Sequence, residues 1–173
     1  MGLPNSICVS SALTRGARYE GSLAIARMTR LAEVVADAAG QIHARWQLAN
    51  DAAGYPALSG HVGGALQLRC RNCQENFSWP LDLDVELRLV NSEAEEAEVL
   101  KEHEPYLVQD DQLALAEVTE DEVLLALPLM PRCKTCENNA EPQPQTEIRD
   151  ESARPDSFPG PFAALKNVLN PKS

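Results

Sequence analysis

The chain has 173 residues, the length of one ordinary domain and short for two. Apolar residues make up 44% of it, enough for a packed core, so the chain as a whole is not disordered; no apolar run nears the ~20 residues that span a bilayer. Fifteen basic residues stand against 26 acidic ones, a formal net charge of −11, which speaks against a DNA-binding or membrane-surface protein.

The charge is unevenly spread. Residues 1–81 carry seven Lys/Arg and five Asp/Glu, residues 82–122 two and fifteen, and the remainder six and six. The excess therefore sits in one stretch, readable as a solvated face or as a docking surface for a basic partner. Residues 1–14 contain no Lys or Arg, and the apolar run at 7–13 is too short and serine-rich for a signal peptide, so the expected location is the cytoplasm.

In chain order, Thr29 opens a helix whose apolar face is Leu31, Val34 and Val35, with Gly40 as its stop. Three stretches then alternate with period two. Ile42, Ala44, Trp46 and Leu48 share one face, followed by Val62, Leu66 and Leu68. The longest run is Phe77, Trp79, Leu81, Leu83, Val85, Leu87 and Leu89 against Ser78, Asp82, Asp84, Glu86 and Arg88. One buried and one wet face means an antiparallel sheet. Residues 50–56 supply the turn between the first two strands, and Gly63-Gly64 with Pro80 are expected to curve the meander, the proline at an edge or a bulge. Ser92 and Glu95 have capping-box spacing and start an acidic helix to about Glu102. Asp111 is expected to cap a longer helix to Leu127, ended by Pro128, on which Glu117, Glu120 and Asp121 form a solvated face. The expected fold is α+β: a curved, barrel-like antiparallel meander with flanking helices, in a single domain over 1–136. A flexible acidic, proline-rich linker is expected at 137–161, and an amphipathic C-terminal segment at 162–173.

Four of the five cysteines fall in two similar pentads, Arg69-Cys70-Arg71-Asn72-Cys73 and Arg132-Cys133-Lys134-Thr135-Cys136. A C-x-x-C turn sets two thiolates about one tetrahedral edge apart, and two such turns complete the four-cysteine shell that Zn2+ prefers. The 59 residues between the pairs (74–132) exceed a zinc-finger spacing, so the fold must bring them together. A closed four-thiolate shell leaves no position for water and points to a structural zinc-knuckle-type clasp at Cys70, Cys73, Cys133 and Cys136. Arg69, Arg71, Arg132 and Lys134 bracket the first cysteine of each pair. They offset thiolate charge, and as a basic knob they are also candidate phosphate contacts, as are Arg15, Arg18, Arg27 and Arg30. Thiol–disulfide chemistry at the C-x-x-C pairs is the redox alternative. Cys8 has no partner pattern, and no P-loop, G-x-S-x-G, H-E-x-x-H or deaminase motif is present, which leans away from an enzyme.

CRNCQENFSWPLDLDVELRLV, then EVTEDEVLLALPLMPRC, then PFAALKNVL resemble the YceD family, the bacterial large ribosomal RNA subunit accumulation proteins. The resemblance runs in order from about residue 18 to the C-terminus. It implies a cytoplasmic, non-enzymatic factor for synthesis, processing or stability of 23S rRNA in large-subunit biogenesis, with no catalytic residues to carry over. The partners implied are large-subunit rRNA or its precursor particles. The acidic stretch suggests an alternative, an adaptor holding a basic ribosomal protein or assembly factor. The first cysteine pair is the steadier feature of the family, and this chain carries two full pairs.

Overall fold

The three alternating runs become three long strands of one curled sheet, half of a barrel. The computed structural model describes residues 2–138; the expected linker beyond Asn138 and the amphipathic segment 162–173 lie outside the described residues. In chain order the elements are β1 (Ile7–Cys8), α1 (Val9–Thr14), β2 (Arg18–Ala24), a single 3-10 turn (Ile25–Arg27), α2 (Thr29–Val34), β3 (Gln41–Asn50), β4 (Pro56–Arg69), β5 (Asn76–Val90), α3 (Glu93–Val99), β6 (Pro105–Leu107), β7 (Gln112–Leu113), α4 (Leu115–Ala126) and α5 (Lys134–Asn138). The main sheet has the order β2-β3-β4-β5-β6, and β1 with β7 forms a small separate ladder.

The α+β class holds with one correction: the sheet is mixed. Strands β2 to β5 are an antiparallel meander, but β6 lies parallel to β5, pairing Arg88 with Pro105 through Val90 with Leu107. Parallel neighbours need a crossover, and the segment carrying α3 provides it. Strand β2 is an addition to the expected meander. Its Tyr19 and Leu23 pack on the core, but Gly21 between them stands opposite Ala44 and interrupts the period-two signal. Pairing of β4 with β5 is unbroken from Ala57 opposite Arg88 to Arg69 opposite Asn76. No bulge occurs at Pro80. It is tolerated because β6 pairs with β5 only at Arg88–Val90, leaving the proline on an open edge.

The inner face collects Ile42, Trp46 and Leu48 of β3, Leu58, Val62 and Leu66 of β4, and Leu81, Leu87 and Leu89 of β5, and α4 closes it with Leu115, Val118 and Val123. Each such side chain contributes roughly 1.5–3 kcal/mol on burial. Gly60 faces Trp46 across the β3–β4 ladder, where a Cβ would stand 2.4 Å from Cε3 of the indole and 2.3 Å from the Arg45 carbonyl oxygen. Only a glycine leaves room for that ring.

Helix α3 starts where the capping box predicts, the Ser92 hydroxyl accepting from the Glu95 N–H, but it stops at Val99. Helix α2 stops at Val34, well before Gly40, because the Ala36 N–H donates to the Gln67 carbonyl at 2.7 Å and draws the chain alongside β4. Helix α4 begins at Leu115 and not at Asp111. Asp111 has φ 59°, and its carboxylate accepts from the Ser10 N–H at 2.9 Å and the Ser10 hydroxyl at 2.6 Å, closing the start of α1. Glu120 is not on a solvated face. It is 8% exposed and accepts the Leu31 N–H at 3.0 Å and an Arg30 guanidinium N–H at 3.1 Å, capping α2 from another helix. Among the described residues no helix is long and apolar enough to cross a membrane.

Candidate metal centre

The first cysteine pair sits in the β4–β5 connection. The Cys70 N–H donates to Glu75 O at 2.9 Å and the Gln74 N–H to Cys70 O at 3.0 Å. Gln74 takes the left-handed conformation at φ 64°, and its carbonyl accepts the Arg69 Nε–H at 3.0 Å. These bonds hold the turn tight and direct Cys70 and Cys73 to the same side.

The second pair arrives from α4. Leu127 leaves the helix in an extended conformation, and Pro128 and Pro131 prevent its continuation. The extended segment is tied to the first turn where the Arg71 N–H donates to Pro131 O at 2.8 Å. The Cys133 N–H then points at the Cys70 Sγ at 3.4 Å, and the short helix α5 brings Cys136 round beside it. The position of α4 is itself fixed by two polar ties to the body: the Trp46 indole on Thr119, and the Arg30 and Leu31 contacts of Glu120.

All four Sγ atoms lie within 4.8 Å of one another, and Cys73 and Cys133 are 3.8 Å apart. Zn–S bonds of about 2.3 Å imply a tetrahedral edge near ~3.8 Å, whereas a disulfide needs ~2.05 Å. The four are free thiols, Cys70 buried, Cys133 and Cys136 half-buried, Cys73 exposed. The N–H groups of Cys133, Cys73 and Asn72 hold Cys70 down to about 6 against its burial. For Cys73 the Glu75 N–H pulls the other way, yet the neighbouring Cys70, Cys136 and Cys133 thiols, with burial, push it up to about 12. Four thiols converging at these separations are a donor set able to hold a metal ion.

Arg69, Arg71, Arg132 and Lys134 are all exposed or half-exposed around this cluster. Arg30 is not a free cation, being bonded to Glu120 and Asp121. Cys8 lies apart, its thiol donating to Asp111 at 3.0 Å. Sequence reading missed the Pro131–Arg71 tie and the role of Glu120, neither of which leaves a local pattern. It also missed His61, whose ring on the outer sheet face stands 3.3 Å from Asp82 and 3.0 Å from Asp84. Cross-strand register with Asp84 could have signalled that contact once the β4–β5 pairing was known.

The chain matches the family model described as large ribosomal RNA subunit accumulation protein YceD over residues 58–169, a span that holds both cysteine pairs. It is 27% identical over 153 residues to a Haemophilus influenzae protein named large ribosomal RNA subunit accumulation protein YceD, covering 87% of this chain and 86% of that protein. No solved structure matches it.

Proposed function

The chain belongs to the YceD family of large ribosomal RNA subunit accumulation proteins, and from that premise we propose that it is a non-enzymatic cytoplasmic factor that promotes synthesis, processing or stability of 23S rRNA. In this reading Cys70, Cys73, Cys133 and Cys136 hold a structural Zn2+, and Arg69, Arg71, Arg132 and Lys134 contact phosphates of large-subunit rRNA or its precursor particles. The observation that carries it is the convergence of four thiols from two distant chain segments, each pair bracketed by solvent-accessible cations. Four thiolates would leave the ion no open position, so its contribution is stability, on the order of 10 kcal/mol when bound. A zinc tetrathiolate carries two negative charges. The four cations therefore surround a charge they partly neutralise, and their planar or flexible heads remain available to phosphate.

Native mass spectrometry of the full chain with and without chelator, followed by UV crosslinking to 23S rRNA transcript, tests both halves. The expected result is one zinc per chain, lost together with cooperative folding, and crosslinks that fall when Arg71 and Arg132 are replaced by glutamate. A folded metal-free protein, or a mass two units light per cysteine pair, overturns the clasp. Crosslinking indifferent to the arginines overturns the RNA contact.

A further inference from the structure

Helix α3 contributes no buried residue to the fold. It is held by its Ser92 cap, by Glu95 reaching back to the Asn91 N–H at 2.9 Å, and by the Lys101–Glu98 pair at 2.8 Å. A helix this short with no fully buried side chain is weak in isolation. Yet it stands over a groove of about 530 Å³ between itself, the end of β5 and the β3–β4 turn. Its lining is mixed: Tyr55, Pro56, Val90 and Val99 supply apolar surface, and Glu95, Glu98 and Glu102 are its acidic members. Tyr55 is 53% exposed. Arg88 and Lys101 also line the groove and are paired within the fold. Arg88 pairs with Asp51 and lies over one face of the Tyr55 ring at 4.4 Å, and Lys101 pairs with Glu98. The acidic excess of the rim therefore rests on Glu95 and Glu102 together with the surplus around Glu98. Residues 91–104 hold six glutamates and one lysine.

We infer that this groove docks an extended, lysine- and arginine-rich protein segment that carries an apolar or aromatic anchor residue. The glutamates of the rim attract the cations by charge complementarity, and the apolar surface of Tyr55 and Val99 takes the anchor, burying the side of α3 that the fold leaves open. Phosphate backbones are repelled by the same rim. A second copy of this chain, itself at net charge −11, brings the wrong sign. The inference is independent of the zinc and RNA contacts proposed above, because it uses none of their residues.

The test uses the full chain and two fluorescein-labelled peptides of about 12 residues, both alternating lysine and glycine, one with a central tryptophan. Fluorescence anisotropy at about 50 mM and about 300 mM NaCl reads the affinities, since a screened rim must lose binding with salt. The tryptophan peptide is expected to bind at least about fivefold tighter than its partner, and the double variant E98K/E102K to weaken it at least about tenfold. The equal charge change D82K/E86K, on the outer sheet face, should weaken it less than about threefold. The neutral pair E98Q/E102Q, about threefold weaker, covers the case in which charge reversal unsettles α3. Circular dichroism confirms that each variant is folded, and R71E/R132E should bind both peptides as the parent does. No gain from tryptophan, or equal losses from the rim and the sheet-face variants, overturns the groove.

Discussion

Replacing Thr119 with valine removes one hydroxyl and leaves the shape of the side chain nearly intact. In the folded protein that hydroxyl accepts the Trp46 indole N–H at 3.1 Å and donates to the Leu115 carbonyl at 2.6 Å. Both side chains are out of water, Thr119 at 0% and Trp46 at 2% exposure, so no solvent molecule replaces the lost acceptor. An orphaned buried donor costs about 1–3 kcal/mol, more than the hydrogen bond itself is worth on folding. For an ordered body of this size that is a drop of roughly 3–4 °C in Tm per kcal/mol. Trp46→Phe removes the donor as well. In that background Thr119→Val should cost under ~0.5 kcal/mol beyond the cavity already made by the smaller ring, giving a coupling of about 0.5–2.5 kcal/mol. Urea unfolding followed by far-UV circular dichroism, at fixed zinc concentration, measures all four corners of the cycle. A Thr119→Val protein as stable as the parent, or equal costs in both backgrounds, refutes the reasoning that this pair fastens α4 to the sheet.

Two further predictions concern the same sheet. Gly60→Ala should destabilise by about 3 kcal/mol, the upper end of ordinary over-packing, because its Cβ meets the Arg45 backbone and the buried Trp46 ring. Gly63→Ala, whose Cβ comes closest to the movable His61 ring at 3.3 Å, should stay within ~0.5 kcal/mol, both read as urea midpoints. The second is acid sensitivity at the β3–β4 turn. The Tyr55 N–H, the Arg88 guanidinium and the Ala53 N–H hold the Asp51 carboxyl below its usual 3.8. A folded-state value below the unfolded one contributes stability that is full above the unfolded value and is lost as pH falls through the folded value. Thermal scans from about pH 6 down to about pH 2 should therefore fall less steeply for Asp51→Asn than for the parent. A parallel decline in the two proteins would remove Asp51 from the account.

The alternation of β3, β4 and β5 is legible because each strand has one face against the core and one in water. Ser92 and Glu95 are legible because a capping box is written in four consecutive positions. The cysteine pairs are legible as pairs, but their meeting depends on the length and path of β5 and α4. The losses have one physical origin. Glu120 caps α2 across 89 residues of chain, and Asp111 closes α1 across 101. An acidic residue satisfied by a distant N–H looks, in sequence, like one solvated on a helix face or capping its own helix. Strand β2 is hidden by Gly21, which stands opposite Ala44 in the ladder but breaks the apolar alternation. The parallel strand β6 is three residues long, too short to show a period.

A net charge of −11 and a phosphate-binding role are compatible on the geometry of β5. The strand runs from Asn76, just past the first cysteine turn, to Val90, just before α3, and 15 residues at about 3.3 Å each give a path on the order of 40–50 Å. Curling of the sheet makes the direct distance shorter than this path, but an extended strand of this length still spans more than one Debye length of about 8 Å in physiological salt. Phosphates approaching Arg71 and Arg132 are thus screened from Glu98 and Glu102. A basic peptide approaching α3 is equally screened from the arginines. Six of the fifteen acidic residues of 82–122 lie in 91–104, so the groove end carries the largest share of the negative charge. The rest is spread along β5, the turn at Asp110–Asp111 and α4. One long strand separates the two proposed surfaces, and if both readings hold each can be altered without the other: charge reversal at Glu98 and Glu102 should leave an RNA crosslink at the clasp intact, and arginine replacement at the clasp should leave peptide capture intact.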